Sequence, residues 1–520
     1  MSKKLVKSTA VVSGMTMISR VLGFVRDVVL ARMFGADAAT DAFFVAFKIP
    51  NFLRRLFAEG AFAQSFVPVF TEYKEKRDPQ DLKLLVDQVA GVFGGFLLVL
   101  TSLGVLAAPV LVGIFGPGFL DEPFKYDLAV EMLAITFPYL FFIALTAFAG
   151  GILNSCGSFG VPAFTPVLLN VSLISAALWL SPEMDKPIVG LAWGVFIAGA
   201  AQLLFQFPFL ARKGLLPRPR WAWKAEGVQR IMKLMLPAIF GSSVVQINLL
   251  LDTLIASFLI SGSISWLYYS DRLVEFPLGV FGIALATVIL PKLSRDHANK
   301  TGDHFSKTID WSMRLVWLIA TPAAVGLAVL SGPLLLSLFY GGEFKLTDVE
   351  MSQLSLIAYS IGLLGFIFVK VLAPGFYARQ NTKTPVKIGV IAMITNMGLN
   401  VAFVVPLYMN DFKGAHMGLA LATACSSFLN AFLLYRQLKK EGVYHSEPGW
   451  LLYLVRIVLA SIAMGGAIWW FTPAVDLWIT QEAWMRGLWL LGLVSCGIGI
   501  YFFTLLILGV KLKRLFQLKT

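Results

Sequence analysis

Residues 41–70 read DAFFVAFKIPNFLRRLFAEGAFAQSFVPVF. Phe43, Phe44, Val45, Phe47, Ile49, Phe52, Leu53, Leu56 and Phe57 make this an apolar stretch long enough to cross a bilayer core. Yet Asp41, Lys48, Arg54, Arg55 and Glu59 lie within it. A charge at the centre of a membrane helix costs about 2.5–3.5 kcal/mol on insertion scales and usually faces a cavity or a partner. Such a stretch therefore predicts a spanning helix with one face turned away from lipid. On an ideal helix Asp41, Lys48, Arg55 and Glu59 form one stripe, Arg55 and Glu59 are an i,i+4 pair, and Arg54 projects about 100° away. Pro50 and Gly60 argue against an undistorted register.

Runs like this recur to the end of the chain. Its 520 residues are 58% hydrophobic and 14% charged, with a mean hydropathy of +0.77; a soluble domain is nearer a quarter charged. The fold class is therefore an all-α polytopic membrane protein. Fourteen spans are predicted, at 9–34, 41–70, 86–115, 128–153, 160–181, 187–210, 234–260, 264–291, 312–338, 350–378, 386–407, 414–436, 448–471 and 486–510. The N-terminal MSKKLVKSTAVVSGM has the charge pattern of a signal peptide, but the apolar run continues too far and carries Arg20 and Arg26, so it reads as the first span.

Alternate connections separate by charge. One set holds YKEKRDPQDLK, ARKGLLPRPRWAWK, PKLSRDHANK, ARQNTKTPVK, YRQLKKEG and the tail KLKRLFQLK. The other set, including GADAAT, SPEMDKP, GPGFLDEPFKYD and YMNDFKG, is poor in Lys and Arg. The bias places both termini in the cytoplasm. It also accounts for the net charge of +13 without nucleic acid as a partner. Trp469, Trp470, Trp478, Trp484 and Trp489 read as an aromatic belt at the opposite interface. Cys156, Cys425 and Cys496 show no paired spacing, so neither a disulfide framework nor a metal site is expected. The four histidines, His297, His304, His416 and His445, read as solvated loop residues.

FVPVFTEYK near 66–74 matches VILPKLSRD near 288–296 in character, with Pro68 against Pro291. GGILNSCGS at 150–158 falls against PGFYARQNT at 374–382, and Asp27 against Asp252. The offsets agree at about 223–225 residues. Six spans followed by six in the same orientation predict two lobes related by an axis along the membrane normal, a common transporter plan. The expected domains are an N-lobe at 1–230, a C-lobe at 231–440 and two additional spans within 441–520.

Charge concentrates in the first lobe. Arg20, Arg26, Lys48, Arg54 and Arg55 outnumber Asp27, Asp41 and Glu59. In the second lobe the eighth span offers Asp271, Arg272 and Glu275, and the tenth offers Lys370. A surplus of buried cation needs an anion or water. The expectation is a water-filled cationic cavity between the lobes, suited to a phosphorylated or carboxylated ligand, because the arginine fork donates bidentately to phosphate.

At this point the residues carry a resemblance. MTMISRVLGFVRDVVLARMFGA and TDAFFVAFKIPNFLRRLFAEGAFAQSFVPVF resemble the MurJ (MviN) family of lipid II flippases in the MOP exporter superfamily. SISWLYYSDRLVEFPLGVFGIALATVILPKLSR and VKVLAPGFYARQNTKTPVK resemble its second-lobe signatures. The resemblance covers essentially the whole chain. It implies transport of lipid-linked peptidoglycan precursor from the inner to the outer leaflet of the bacterial inner membrane, and no enzymatic activity. Arg20, Arg26, Arg54 and Arg272 match the family's cavity arginines, and Asp41 and Glu59 its functional acids. With Asn51 and Glu275 these form the expected substrate-binding set. The undecaprenyl tail is expected in a groove by the last two spans. Other expected partners are membrane lipids and cell-wall synthesis enzymes.

No nucleotide motif is present, so no cofactor is expected, and energy would come from an ion gradient, the membrane potential or mass action. Asp252, Asn396, Asn400 and Thr423 could form an ion site if the seventh, eleventh and twelfth spans adjoin. Gly23 and Pro50 are candidate bending points. A drug/cation antiporter of the same superfamily is disfavoured because an arginine-rich cavity repels cationic drugs. A polyprenyl-pyrophosphate enzyme would need a nucleophile or base near the arginines, and no intramembrane histidine is expected. A scaffold for cell-wall enzymes would not need the cationic cavity.

Overall fold

Helices are the only extended regular elements among the described residues, 3–56, 62–299 and 302–510, of a computed structural model. With no water in a bilayer core, each segment must satisfy its own backbone groups, and an α-helix does so. Eleven of the predicted spans coincide with helices or helix pairs long and apolar enough to cross a membrane. Of the other three, 9–34 falls on the helix Lys3–Phe34, 234–260 on the helix Glu226–Ala256, and 41–70 on the two helices Ala38–Arg54 and Ala63–Lys76, with 57–61 outside the described residues. The architecture is compatible with fourteen spans.

Two compact units divide the chain, Met1–Gly262 and Ser263–Thr520. The first unit begins with α1 (Lys3–Phe34) and α2 (Ala38–Arg54), joined through Gly35 at φ 67°, a left-handed turn that favours glycine. Asp37 caps α2 by accepting the Thr40 N–H at 2.8 Å. Next come α3 (Ala63–Lys76), α4 (Pro79–Leu106) and α5 (Ala108–Phe115). Then α6 (Pro123–Thr136) and α7 (Tyr139–Ser155) meet at Pro138, which has no N–H to continue the ladder. The unit closes with α8 (Gly160–Ser175), α9 (Val189–Arg212) and α10 (Glu226–Ala256). Its core stacks Phe62 on Phe93 at 4.2 Å, with Phe66 edge-on to Phe148 at 5.0 Å. Beyond the apolar run of α3, Arg230 of α10 donates to both oxygens of Glu72, at 3.3 and 2.8 Å. That hydrogen bond and the Arg230 charge hold the Glu72 carboxyl below its ordinary pKa.

Gly23 is buried within an unbroken α1, and Pro50 within an unbroken α2. The break in the second span comes later, where the backbone becomes π-helical at Arg55 and Leu56, and again at Phe62. The second unit repeats this break. Its α11 (Ser263–Pro277) passes through a π turn, Leu278–Gly282, into α12 (Ile283–Ala298). Arg55 and Leu278 are 223 residues apart, the offset of the sequence repeat. Pro68 and Pro291 both lie inside the helix that follows.

The second unit continues with α13 (Gly302–Val329), α14 (Ser331–Leu338), α15 (Leu346–Leu372), α16 (Pro374–Tyr377), α17 (Lys383–Met409) and α18 (Met417–Lys440). Helix α15 is its spine, packed by α11, α13 and α18. Small residues allow the close approach of α15 and α18: a Cβ on Gly365 would lie 2.3 Å from Ser427 Oγ, and one on Gly362 2.8 Å from Ala424. His416 corrects the reading of solvated histidines. It is 0% exposed, its Nε2 hydrogen-bonds the Met351 carbonyl at 2.9 Å, and its ring packs 5.1 Å from Trp266. The turn before α18 folds it under α15 instead of into solvent.

The chain ends with α19 (Trp450–Phe471), the short α20 (Val475–Thr480) and α21 (Ala483–Ile507). Trp469, Trp470 and Trp484 are exposed, as an aromatic belt requires. Trp478 is not part of a belt: it is fully buried, edge-on to Trp489 at 5.6 Å, because α20 folds it inward. One carboxylate fastens this tail to α13. Asp310 Oδ1 accepts from Tyr444 Oη at 2.8 Å, Trp450 Nε1 at 2.7 Å and the Glu447 N–H at 3.2 Å, while Oδ2 accepts from Arg314 Nε at 2.7 Å.

Candidate functional site

The intramembrane charges of the first unit are held by their helices in different ways. Arg26 and Asp27 are buried, at 8% and 0% exposure. Both Nε and Nη2 of Arg26 donate to Asp27 Oδ1, at 2.9 and 2.6 Å, and Nη1 donates to Asn170 Oδ1 on α8 at 3.1 Å. Asn170 Nδ2 in turn donates to the Ser19 carbonyl at 2.9 Å. The arginine therefore locks α1 to α8 while its charge is balanced locally. Arg20, six residues earlier on α1, is exposed.

Asp41 and Lys48 share a helix but not a site. Asp41 is 1% exposed, and its Oδ2 accepts the Gly262 N–H at 2.8 Å. Lys125 Nζ lies 3.6 Å from the same oxygen, and Lys125 is also 1% exposed. This lysine donates to Ser261 Oγ at 3.1 Å, lies 3.6 Å from Glu122, and sits 4.5 Å above the Phe119 ring. The group ties the start of α2 to α6 and to the turn after α10. Gly118 completes it: its N–H donates to Ser257 Oγ at 3.1 Å, and a Cβ there would strike the Ser257 carbonyl at 2.2 Å. Lys48 Nζ donates instead to Thr253 Oγ1 of α10.

Arg54 closes α2. Its Nε donates to Asn51 Oδ1 at 2.8 Å, one turn back, and this fixes the plane of the guanidinium. Arg55 opens the π turn, so the ideal-helix stripe through Asp41, Lys48 and Arg55 does not persist. Glu59, its expected i,i+4 partner, lies outside the described residues. In the second unit, Arg272 Nη1 donates to Glu275 Oε2 at 2.8 Å on the partly exposed side of α11. An ion pair this exposed contributes at most about 1 kcal/mol.

Asp252 belongs to the first unit, and Asn396, Asn400 and Thr423 to the second. Asn396 and Asn400 are one turn apart and buried on α17, which packs on α18, the helix that carries Thr423. The sequence reading missed Lys125, which sits in a connection that reads as solvated. It also missed Asn170, although an asparagine amid an apolar span is a signal in its own right.

Chemically, the first unit offers planar cations on α1 and α2, and the second unit, taken by itself, offers one on α11. Similarity to known proteins bears on this. The family described as "Lipid II flippase MurJ" matches residues 30–491. The chain is 50% identical over 514 residues to "Probable lipid II flippase MurJ" of Haemophilus influenzae, covering 96% of this chain and 99% of that one. It is 42% identical to "Lipid II flippase MurJ" of Burkholderia cenocepacia, covering 92% of each. A solved structure, "Lipid II flippase MurJ, inward closed conformation", superposes with a TM-score of 0.78 at 28% identity, over 95% of this chain and 97% of that one. An inward-facing multidrug resistance MATE transporter of the MOP superfamily superposes at 0.65 with 14% identity, which shows a shared fold only. Family match and near full-length identity agree, and the chain belongs to the MurJ family of lipid II flippases.

Proposed function

We propose that this chain translocates lipid II, the lipid-linked peptidoglycan precursor, from the cytoplasmic to the periplasmic leaflet of the bacterial inner membrane by alternating access. The observation that carries the reading is Arg54. Its guanidinium sits at the end of α2, oriented by Asn51 and next to the π turn. A planar fork held in one orientation suits a pyrophosphate, which it can bind bidentately. Arg20 adds a cation in the same unit, and Arg272 in the second unit is likewise of the type that suits an anionic headgroup. Arg26 serves it by holding α1 against α8. The undecaprenyl tail stays in lipid, along the apolar outer faces of α19 and α21. An ion gradient or the membrane potential supplies the energy. Both termini face the cytoplasm, and cell-wall synthesis enzymes are the partners that would take the product.

Reconstituted flipping of labelled lipid II, with hydrolysis checked on the same sample, tests the reading. Arg54→Lys keeps the charge and loses the fork, so transport should fall at least tenfold with the protein inserted and folded. Full transport by Arg54→Lys would remove bidentate pyrophosphate binding at this position. Product hydrolysis in place of translocation would make the chain an enzyme.

A further inference from the structure

The connection between α9 and α10 is built as a fixed surface. Gly214, at φ 69°, ends α9 and turns the chain back, with Leu215 N–H on the Leu210 carbonyl at 3.0 Å. Leu215 is buried in the core of the unit. The next residues lie along α4. Asp87, 4% exposed, accepts the Arg218 N–H on Oδ1 at 2.7 Å, and its carbonyl accepts the Arg220 N–H at 2.9 Å. Lys83 Nζ donates to the same carboxylate. A Cβ on Gly91 would lie 2.2 Å from the Arg220 carbonyl, so only glycine allows the strand of backbone to lie this close. One turn further along α4, Trp221 lies 2.7 Å from where a Gly95 Cβ would be.

What this fixed backbone presents is unusual for a surface facing only water. Residues 211–224 carry Arg212, Lys213, Arg218, Arg220 and Lys224 and no acid. All five basic residues are exposed, and so are Trp221, at 71%, and Trp223, at 45%. Arg220 also borders a groove of about 440 Å³ with Pro79, Gln80, Lys83, Leu84 and Asp87. Among the described residues the Arg218 and Arg220 guanidinium groups have no ion-pair partner. Trp rings settle at the headgroup level of a bilayer, and Lys and Arg beside them bind anionic headgroups.

We propose that this segment is a docking surface for an anionic phospholipid headgroup at the membrane face that carries the basic connections, with Trp221 at the headgroup level beside Gly95 and Arg218, Arg220 and Lys83 around the phosphate. The buried Asp87 is the device that makes the surface permanent. It spends its acceptors on the loop backbone and Lys83, so the arginine side chains project toward the headgroups. The site is separate from Arg20, Arg54 and Arg272 and does not depend on what those residues carry.

The test uses the purified full chain in detergent, with phosphatidylglycerol or phosphatidylcholine added and bound lipid counted by native mass spectrometry. The wild type should retain phosphatidylglycerol in preference to phosphatidylcholine, less strongly as salt is raised. Each basic side chain near an anionic surface contributes about fivefold, so R218Q/R220Q should weaken phosphatidylglycerol retention by roughly 25-fold. Both positions are exposed, so folding is not at stake, and lipid II flipping by this variant should continue. A photoreactive phosphatidylglycerol headgroup should label residues 212–224 of the wild type. Equal retention of the two lipids would overturn the proposal and leave the surface to a protein partner. Undiminished phosphatidylglycerol retention by R218Q/R220Q would overturn it too, as would loss of retention in R54A instead, which would place the lipid among the transport residues.

Discussion

Lys125 and Asp41 are each 1% exposed and 3.6 Å apart, so each charge helps to offset the desolvation of the other. Removing one partner of a buried pair costs about 3–5 kcal/mol, whereas replacing both is often nearly neutral. Lys125→Met should therefore lower the thermal unfolding midpoint in detergent sharply, and Asp41→Asn with Lys125→Met should recover most of the loss. An unchanged midpoint in Lys125→Met would show that Asp41 has another cation to itself. The pair also revises what Asp41 does: it fastens the start of α2 and is not open to a ligand in this conformation. Legibility from the sequence differed between the two residues. A carboxylate within an apolar run is conspicuous. A lysine in GPGFLDEPFKYD is not, because its burial depends on the Phe119 ring and on the turn after α10, neither of which is local in sequence. Arg26 and Arg54 were legible for the same reason as Asp41. Asp27, the acid partner of Arg26, adjoins it in sequence, whereas the amide partners Asn170 and Asn51 show their roles only once α8 and the last turn of α2 are in place.

At the level of elements, the second span of each sequence repeat carries π-helical backbone at the same point of the repeat. The offset of Pro68 and Pro291 made the equivalence of the two helices readable. The interruption itself was not, since PLGVFGIALA is apolar throughout and nothing in it sets the turn Leu278–Gly282 apart from the residues that follow. A π turn is one residue inserted into an α-helix, and such turns cluster at functional sites. Deleting Gly279 should return Leu278–Gly282 to α geometry without rotating α12 about its axis. If the turn is where α11 and α12 change their angle during transport, the deletion variant should insert and melt normally yet flip lipid II at least tenfold more slowly. Normal flipping would make the turn a packing feature only. The close approach of α15 and α18 was likewise hidden, because the sequence displays Gly362 and Gly365 without saying which helix they face.

For the whole molecule, the first unit ends at Gly262, so α10 is compact with the helices before it, although the sequence repeat starts a new lobe near 231. The sequence repeat marks homology between segments, whereas compactness follows bonds such as Gly118 to Ser257 and Lys48 to Thr253. Orientation is testable directly. In a background without Cys156, Cys425 and Cys496, a cysteine at Asp476 should react with an impermeant thiol reagent from outside, and one at Arg218 should not; the reverse pattern would invert the topology. The Asp310 cluster bears on a different process, the making of the chain. Tyr444 follows Asp310 by 134 residues and Trp450 by 140. At about 5–20 residues per second, synthesis leaves an interval on the order of ten seconds between the carboxylate and those donors. Arg314, four residues on, is the partner that emerges with it. While the ribosome completes the remaining helices, this arginine alone accompanies an anion at the edge of α13. Arg314→Gln should accordingly reduce the yield of inserted protein in pulse-chase labelling far more than it reduces the rate per molecule of the chains that mature, because the mature carboxylate has three other donors and the nascent one does not.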